Sequence, residues 1–274
     1  MNKEFLEVKE FHTAFGHPHS DVPVSMTCDR AKKRYAWILE EINEFLDAVK
    51  AEDIVEQADA MIDTIYFALG TLVEMGVQPD ELFRIVQHAN MSKLWADGKP
   101  HYNEMGKVIK PDGWENPHPK LQEAVNLMKN SLTIDKTKED YMIDYQYEEV
   151  KNFHTAFGHP HSDVPVSMTS DRAKKRYAWI LEEINEFLDA VKAEDIVEQA
   201  DAMIDTIYFA LGTLVEMGVH PGVLFDIVQH ANMSKLWADG KPHYNEMGKV
   251  IKPNGWENPH PKLQEAIAEM SKSR

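Results

Sequence analysis

VEQADAMIDTIYFALG, residues 55–70, decides how this chain is read. Its second half, with Ile62, Ile65, Tyr66, Phe67, Ala68 and Leu69, has the apolar density of a buried helix. Glu56, Asp59 and Asp63 occupy the same segment at spacings of three and four. At roughly 100° per residue, those three carboxylates point within about 60° of one another. One helix therefore carries a packing face and an acidic row. The same sixteen letters return at residues 197–212, so whatever the row does is written twice.

The duplication extends far beyond this stretch. Residues 9–124 align with residues 151–266 at a constant offset of 142, with seven differences over 116 positions. The differing pairs are Glu10/Asn152, Cys28/Ser170, Gln78/His220, Asp80/Gly222, Glu81/Val223, Arg84/Asp226 and Asp112/Asn254. Two repeats of this length make two domains rather than a solenoid, whose units are shorter and more numerous. We expect one domain over residues 1–130 and another over residues 140–274, joined by a polar, helix-poor linker at 131–139.

Composition narrows the class. The 274 residues are 43% hydrophobic and 27% charged, as in soluble globular proteins. There is no apolar run of about 18 residues that would span a membrane, and the N-terminus does not resemble a secretion signal. A formal charge of −17 disfavours nucleic acid and anionic membrane surfaces as partners. A small polyphosphate stays possible if divalent cations lie between it and the acids. The lone cysteine, Cys28, has Ser170 as its counterpart, so it is read as structural and suits a reducing cytoplasm.

Helix signals dominate each copy. Phe5, Val8 and Phe11 suggest a short leading helix, followed by the turn-rich FGHPHSDVPVS. Thr27 or Asp29 can cap a helix over about 29–51, and Asp53 another over about 54–75 that stops at Gly76. Pro79 opens a third over about 79–95, in the first turn where proline is tolerated. Turn signals at Asp97-Gly98 and Met105-Gly106 predict a small hairpin, and HPKLQEAVNLMK closes each copy as a helix. The fold class expected is all-α: two tandem helical bundles, each with a small hairpin near its C-terminal part.

The preceding helix places Ile38, Ile42, Phe45 and Val49 on one stripe, with Glu41 and Glu44 along its edge. Successive helices joined by a short connection pack antiparallel, which can bring Glu41, Glu44, Glu56 and Asp59 together. A solvated face and a cation site both fit that spacing. Half-buried like charges are costly unless neutralised, and the nearest bases, Lys32, Lys33 and Arg34, sit at the far start of the helix. An all-oxygen set favours Mg²⁺ or Mn²⁺ over Zn²⁺. A di-iron bundle needs Glu-x-x-His on helices. The match at Glu115 to His118 is broken by Pro117 and followed by Pro119, so that reading is rejected.

EEINE, a gap, then EQAD resembles the Glu-x-x-Glu … Glu-x-x-Asp signature of the MazG-like all-α nucleoside triphosphate pyrophosphohydrolases. FHTAFGHP, ADAMIDTIYFALGTLVEMGV, HANMSKL and DGKPHYNEMGKVIKPDGW extend the similarity to the phosphoribosyl-ATP pyrophosphohydrolase-like branch over nearly all of each copy. The resemblance implies that Glu41, Glu44, Glu56 and Asp59 are Mg²⁺ ligands and catalytic residues, as are Glu183, Glu186, Glu198 and Asp201. It leaves Asp63 and Asp205 as outer ligands or water holders. Asn90 and Lys93, with Asn232 and Lys235, would contact phosphate or sugar. The implied reaction converts a nucleoside triphosphate and water to the monophosphate and pyrophosphate, in nucleotide-pool cleaning.

Such proteins assemble with sites near subunit interfaces, so an internal pseudo-dimer is expected, with further homodimerisation open. A catalytically silent nucleotide-binding or scaffold protein is the alternative. His17 and His19 are read as a proline-held loop, and Trp95 and Trp114 as packing residues rather than base-stacking ones.

Overall fold

The computed structural model describes residues 1–104, 108–130, 142–246 and 250–272. The expected linker at 131–139 and the Met105-Gly106 turn lie outside the described residues. Among the described residues the first copy contains α1 (Asn2–Ala14), α2 (Cys28–Lys50), α3 (Ile54–Met75), α4 (Pro79–Met91), β1 (His101–Tyr102), β2 (Val108–Ile109) and α5 (His118–Asn130). The second contains α6 (Ile143–Phe157), α7 (Ser170–Lys192), α8 (Ile196–Met217), α9 (Pro221–Met233) and α10 (His260–Met270). The fold is all-α.

The helix boundaries have local causes. The Asp53 side chain accepts the amides of Val55 and Glu56, satisfying two of the donors that the first turn of α3 leaves open. Gly76 stops α3 in the left-handed region at φ 65°. A side chain there would also collide with the backbone, because a Cβ would lie 2.3 Å from the Val22 carbonyl oxygen. Pro79 sits in the first turn of α4, as expected. That helix ends at Met91 rather than near 95: Lys93 and Leu94 turn tightly onto the carbonyls of Asn90 and Met91. The predicted hairpin pairs His101 with Ile109 and Tyr102 with Val108. Its second-copy counterpart reduces to a bridge between Tyr244 and Val250.

Packing departs from a picture of two self-contained bundles. Helices α2 and α3 pack together, as do α7 and α8, but α2 also packs on α7 and α3 on α8. These four long helices form the centre. Helix α4 then lies on α8 of the other half, and α9 on α3. The expected stripe of Ile38, Ile42, Phe45 and Val49 is buried, and so are Ile62, Ile65 and Leu69. Their counterparts join them in one apolar core running through both halves.

Polar bonds tie the halves reciprocally. Gln57 accepts the Met168 amide and Gln199 accepts the Met26 amide, each at 3.0 Å. Both glutamines are fully buried, so these bonds also satisfy groups that water cannot reach.

Helix α3 tolerates Gly70 in its interior for a spatial reason. A Cβ there would fall 2.4 Å from Arg34 Nη2 and 3.0 Å from His12 Nε2. Arg34 is buried against Thr71 and the Phe67 carbonyl, and it reaches Glu74 at 3.4 Å. Glu74 is also held by Arg30 through two bonds of 2.7 and 2.6 Å. The glycine makes room for a buried guanidinium.

Candidate active site

Antiparallel packing of α2 and α3 sets Glu41 and Glu44 opposite Glu56, Asp59 and Asp63, as the sequence spacing anticipates. The electrostatics show that they share one neighbourhood. Burial, followed by the charges of Asp63 and Glu44, pushes the Glu41 carboxyl up to about 9. Burial and then Asp59 push Asp63 up to about 8. Asp59 rises to about 6, through burial and then Glu56. Glu44 also rises, through burial and then Glu40 and Glu56. In the second half Glu183, Glu186, Asp201 and Asp205 repeat the pattern, with Glu198 among the charges acting on them.

Stacked carboxylates that cannot all ionise together form a site that lacks positive charge. One atom makes the point directly. Asp59 Oδ1 is buried without a hydrogen-bond partner, and so is Asp201 Oδ1. A buried carboxylate oxygen left alone is costly, and a hard cation would satisfy it. The oxygen-only donors suit Mg²⁺ or Mn²⁺. Among the described residues, however, no three His, Cys, Asp or Glu side chains converge into a group that could hold a metal ion as they stand. The row lines a wall rather than forming a closed cage.

The opposite wall comes from the other half of the chain. Lys235, beyond the end of α9, is the basic group that acts on Asp63, and Lys93 acts on Asp205 in the same way. Burial lowers the pKa of both lysines, with the facing aspartate opposing the shift. Lys235 Nζ donates to Asn232 Oδ1 at 2.7 Å, and Lys93 Nζ donates to Asn90 Oδ1 at the same distance. Asn232 in turn lies near Tyr66, one turn beyond Asp63. The four acids, the outer aspartate, the asparagine and the lysine foreseen for each site are thus gathered, but across the halves. Glu41, Glu44, Glu56, Asp59 and Asp63 form one row, and its Asp63 end faces Lys235, which holds Asn232. Glu183, Glu186, Glu198, Asp201 and Asp205 form the second row, and its Asp205 end faces Asn90 and Lys93.

A cavity of about 290 Å³ opens beside the second row. Asn90, Lys93 and Asp205 form its polar side, and Trp179, Phe209 and Phe153 its aromatic side. Trp179 stacks on Phe209 with ring centroids 5.8 Å apart, and Arg172 and Arg176 each lie 5.1 Å from the indole. His159 stacks on Phe153 at 5.6 Å and lines the cavity, so the second-copy counterpart of His17 is a wall residue.

Sequence reading missed two features here. Trp179 sits in an amphipathic helix and reads as an ordinary packing residue. His118 belongs to the proline-broken Glu-x-x-His match, and His260 is its counterpart in the second copy. In the structure His260 Nδ1 lies 2.6 Å from Glu56 Oε1, and His118 Nδ1 lies 2.6 Å from Glu198 Oε1.

The phosphoribosyl-ATP pyrophosphohydrolase family profile matches the chain twice, over residues 8–90 and 150–232. The chain therefore belongs to that family and carries its domain in two tandem copies, which supports pyrophosphohydrolase activity in general. It is also similar to a solved structure described as a "putative NTP pyrophosphohydrolase" from Exiguobacterium sp. 255-15. That match has 36% identity, covers 47% of this chain and 96% of the other, and has a TM-score of 0.29. No curated protein matches the chain. Among the described residues, no single helix is long and apolar enough to cross a membrane.

Proposed function

From this family membership, we propose that the chain is a Mg²⁺-dependent nucleoside triphosphate pyrophosphohydrolase with two composite sites. It acts as an internal pseudo-dimer and clears surplus or non-standard nucleotides from the cytoplasmic pool. One observation carries this reading: each acidic row on two packed helices faces a lysine and an asparagine supplied by the other half.

Glu41, Glu44, Glu56 and Asp59 would hold the metal, with Asp63 one turn further along; Glu183, Glu186, Glu198, Asp201 and Asp205 are their counterparts. When bound, Mg²⁺ offsets charge on phosphoryl oxygens and lowers the pKa of a coordinated water. Mg²⁺ commonly binds through one or two carboxylates while keeping waters and substrate phosphates in its shell. An open acidic wall accords with that habit better than a closed cage would.

The chain's own groups do the rest. Lys235 and Lys93 present compact point charges to the polyphosphate, and Asn232 and Asn90 offer both a donor and an acceptor to phosphate or sugar. The aromatic side of the cavity suits a nucleobase, whose face stacks on Trp179 or Phe209. The bond broken is the anhydride between the α- and β-phosphates. Water supplies the oxygen and hydrogens that complete the monophosphate and pyrophosphate.

The test is a panel of canonical and modified nucleoside triphosphates incubated with the chain, with and without Mg²⁺, and analysed for monophosphate and pyrophosphate. Product that requires Mg²⁺, and that vanishes in Glu41→Gln plus Glu183→Gln, supports the proposal. Tight nucleotide binding with no pyrophosphate formed would overturn it in favour of a silent binding protein.

A further inference from the structure

The two histidines that meet the acidic rows have no part in the function described so far. His260 opens α10 in the second half and His118 opens α5 in the first. Each reaches a glutamate of the opposite half, 204 residues away for Glu56 and His260. An ionised carboxylate can only accept hydrogen bonds, so the hydrogen lies on Nδ1. The contact is 2.6 Å in both halves.

We infer that His260 and His118 are positioning residues, fixing the Glu56 and Glu198 carboxylates so that one oxygen of each stays turned to the cation. The inference rests on the Mg²⁺ reading above.

Three observations carry it. First, the contact occurs at the same distance in both halves, at the same member of each acid row. Second, the glutamate it holds sits one turn from the next acid on the same helix, Asp59 after Glu56 and Asp201 after Glu198. Each imidazole therefore holds the first acid of one Glu-x-x-Asp pair. Third, the pair is partly open to water, with Glu56 48% and His260 38% exposed. A polar contact so exposed adds little to folding stability, and what it contributes is orientation. Glu56 has strong need of it. Its backbone is fixed by Asp53 in the first turn of α3, while its half-exposed side chain has several rotatable bonds. Groups that orient a metal-ligating side chain commonly alter metal affinity by 10–100-fold when removed.

The experiment measures Mn²⁺ binding to the full chain by electron paramagnetic resonance, with Mn²⁺ as the only added ligand. Wild type is compared with His118→Ala plus His260→Ala and with His118→Asn plus His260→Asn. An asparagine amide can occupy the place of Nδ1–H. The alanine chain should bind Mn²⁺ about tenfold more weakly or worse, and the asparagine chain should recover most of that affinity. Melting temperatures in chelator should agree among all three.

Unchanged Mn²⁺ affinity in the alanine chain would overturn the assignment. So would a fall in its chelator melting temperature that accounts for the loss, or a failure of asparagine to restore binding. A wild-type chain that binds no Mn²⁺ would fail the metal reading itself, and this assignment with it.

Discussion

Tyr66 Oη donates to Gln229 Oε1 at 2.7 Å across 163 residues of sequence, and Tyr208 does the same to Gln87. Each glutamine also donates back into the other half's first helix, Gln87 to the Glu149 carbonyl and Gln229 to that of Glu7. The tyrosine ring lies on the phenylalanine of the partner helix, with Tyr66 and Phe225 centroids 5.5 Å apart. These contacts hold α9 against α3 and α4 against α8, and so carry each lysine to the acids of the opposite copy.

That interlock predicts an uneven response to double substitution. Glu41→Gln with Lys235→Ala disables one site twice, and about half of the wild-type turnover should remain. Glu41→Gln with Lys93→Ala disables both sites, and turnover should fall at least tenfold further. Steady-state pyrophosphate release measures both. Sites built within single copies would reverse the ranking, because Lys93 would then share a site with Glu41.

Gly70→Ala, with Gly212→Ala, should destabilise the fold even though alanine is the better helix former. The added methyl would meet Arg34 Nη2 at 2.4 Å, and Arg176 Nη2 at 2.5 Å in the second copy. Each guanidinium is tied to a threonine hydroxyl and a phenylalanine carbonyl that it would have to leave, and overpacking of this kind costs about 1–3 kcal/mol. Gly113→Ala is the control, since a Cβ there meets nothing within 4 Å. Thermal unfolding of the three chains should rank the controls together and the Gly70 variant below them.

Acid should weaken the fold through His12 and His154. Burial, opposed by a bond to the Pro18 carbonyl, holds His12 down to about 3; His154 has the same arrangement with Pro160. Unfolded, each imidazole takes up its proton near pH 6.5. The contribution to stability is therefore complete above about pH 6.5 and is lost progressively as pH falls toward 3. Each group adds a slope of about 1.4 kcal/mol per pH unit within that window. Denaturant unfolding between pH 7.5 and 5 should show the decline, and His12→Asn plus His154→Asn should flatten it.

The acid rows act with the opposite sign in the metal-free chain. Glu41 and Asp63, held up to about 9 and about 8, stay protonated in the fold at pH values where the unfolded chain has ionised them. Stability from these groups is complete below about pH 4 and is lost as pH rises through 8 to 9. Mg²⁺ selects the ionised form, so its stabilising effect should grow with pH. The rise in melting temperature on adding Mg²⁺ should be larger at pH 8.5 than at pH 6. An equal rise at both would place the cation away from these acids.

Much of this was legible in the letters. The 3.6-residue period separates Ile62, Ile65 and Leu69 from Glu56, Asp59 and Asp63. The caps at Asp53, Gly76 and Pro79 are short-range chemistry, and helix boundaries follow from them. Trp179 was not legible as a cavity wall, because an indole in an amphipathic helix carries the same pattern whether it faces a core or a ligand. His260 was hidden by distance: its glutamate lies 204 residues earlier, and the prolines around it argue only against a helix interior.

The sequence by itself determined an all-α chain, written twice, with an acidic row on one face of a buried helix. It could not decide which lysine completes which row. Residues 88–95 and 230–237 are identical, so no local preference distinguishes an in-copy partner from one in the other copy. Only the tertiary packing of α4 on α8 and α9 on α3 resolves that equality, by burying apolar surface from both halves in one core. The stretch at 55–70 thus supplies half of a site, and residues some 170 positions later supply the charge that faces it.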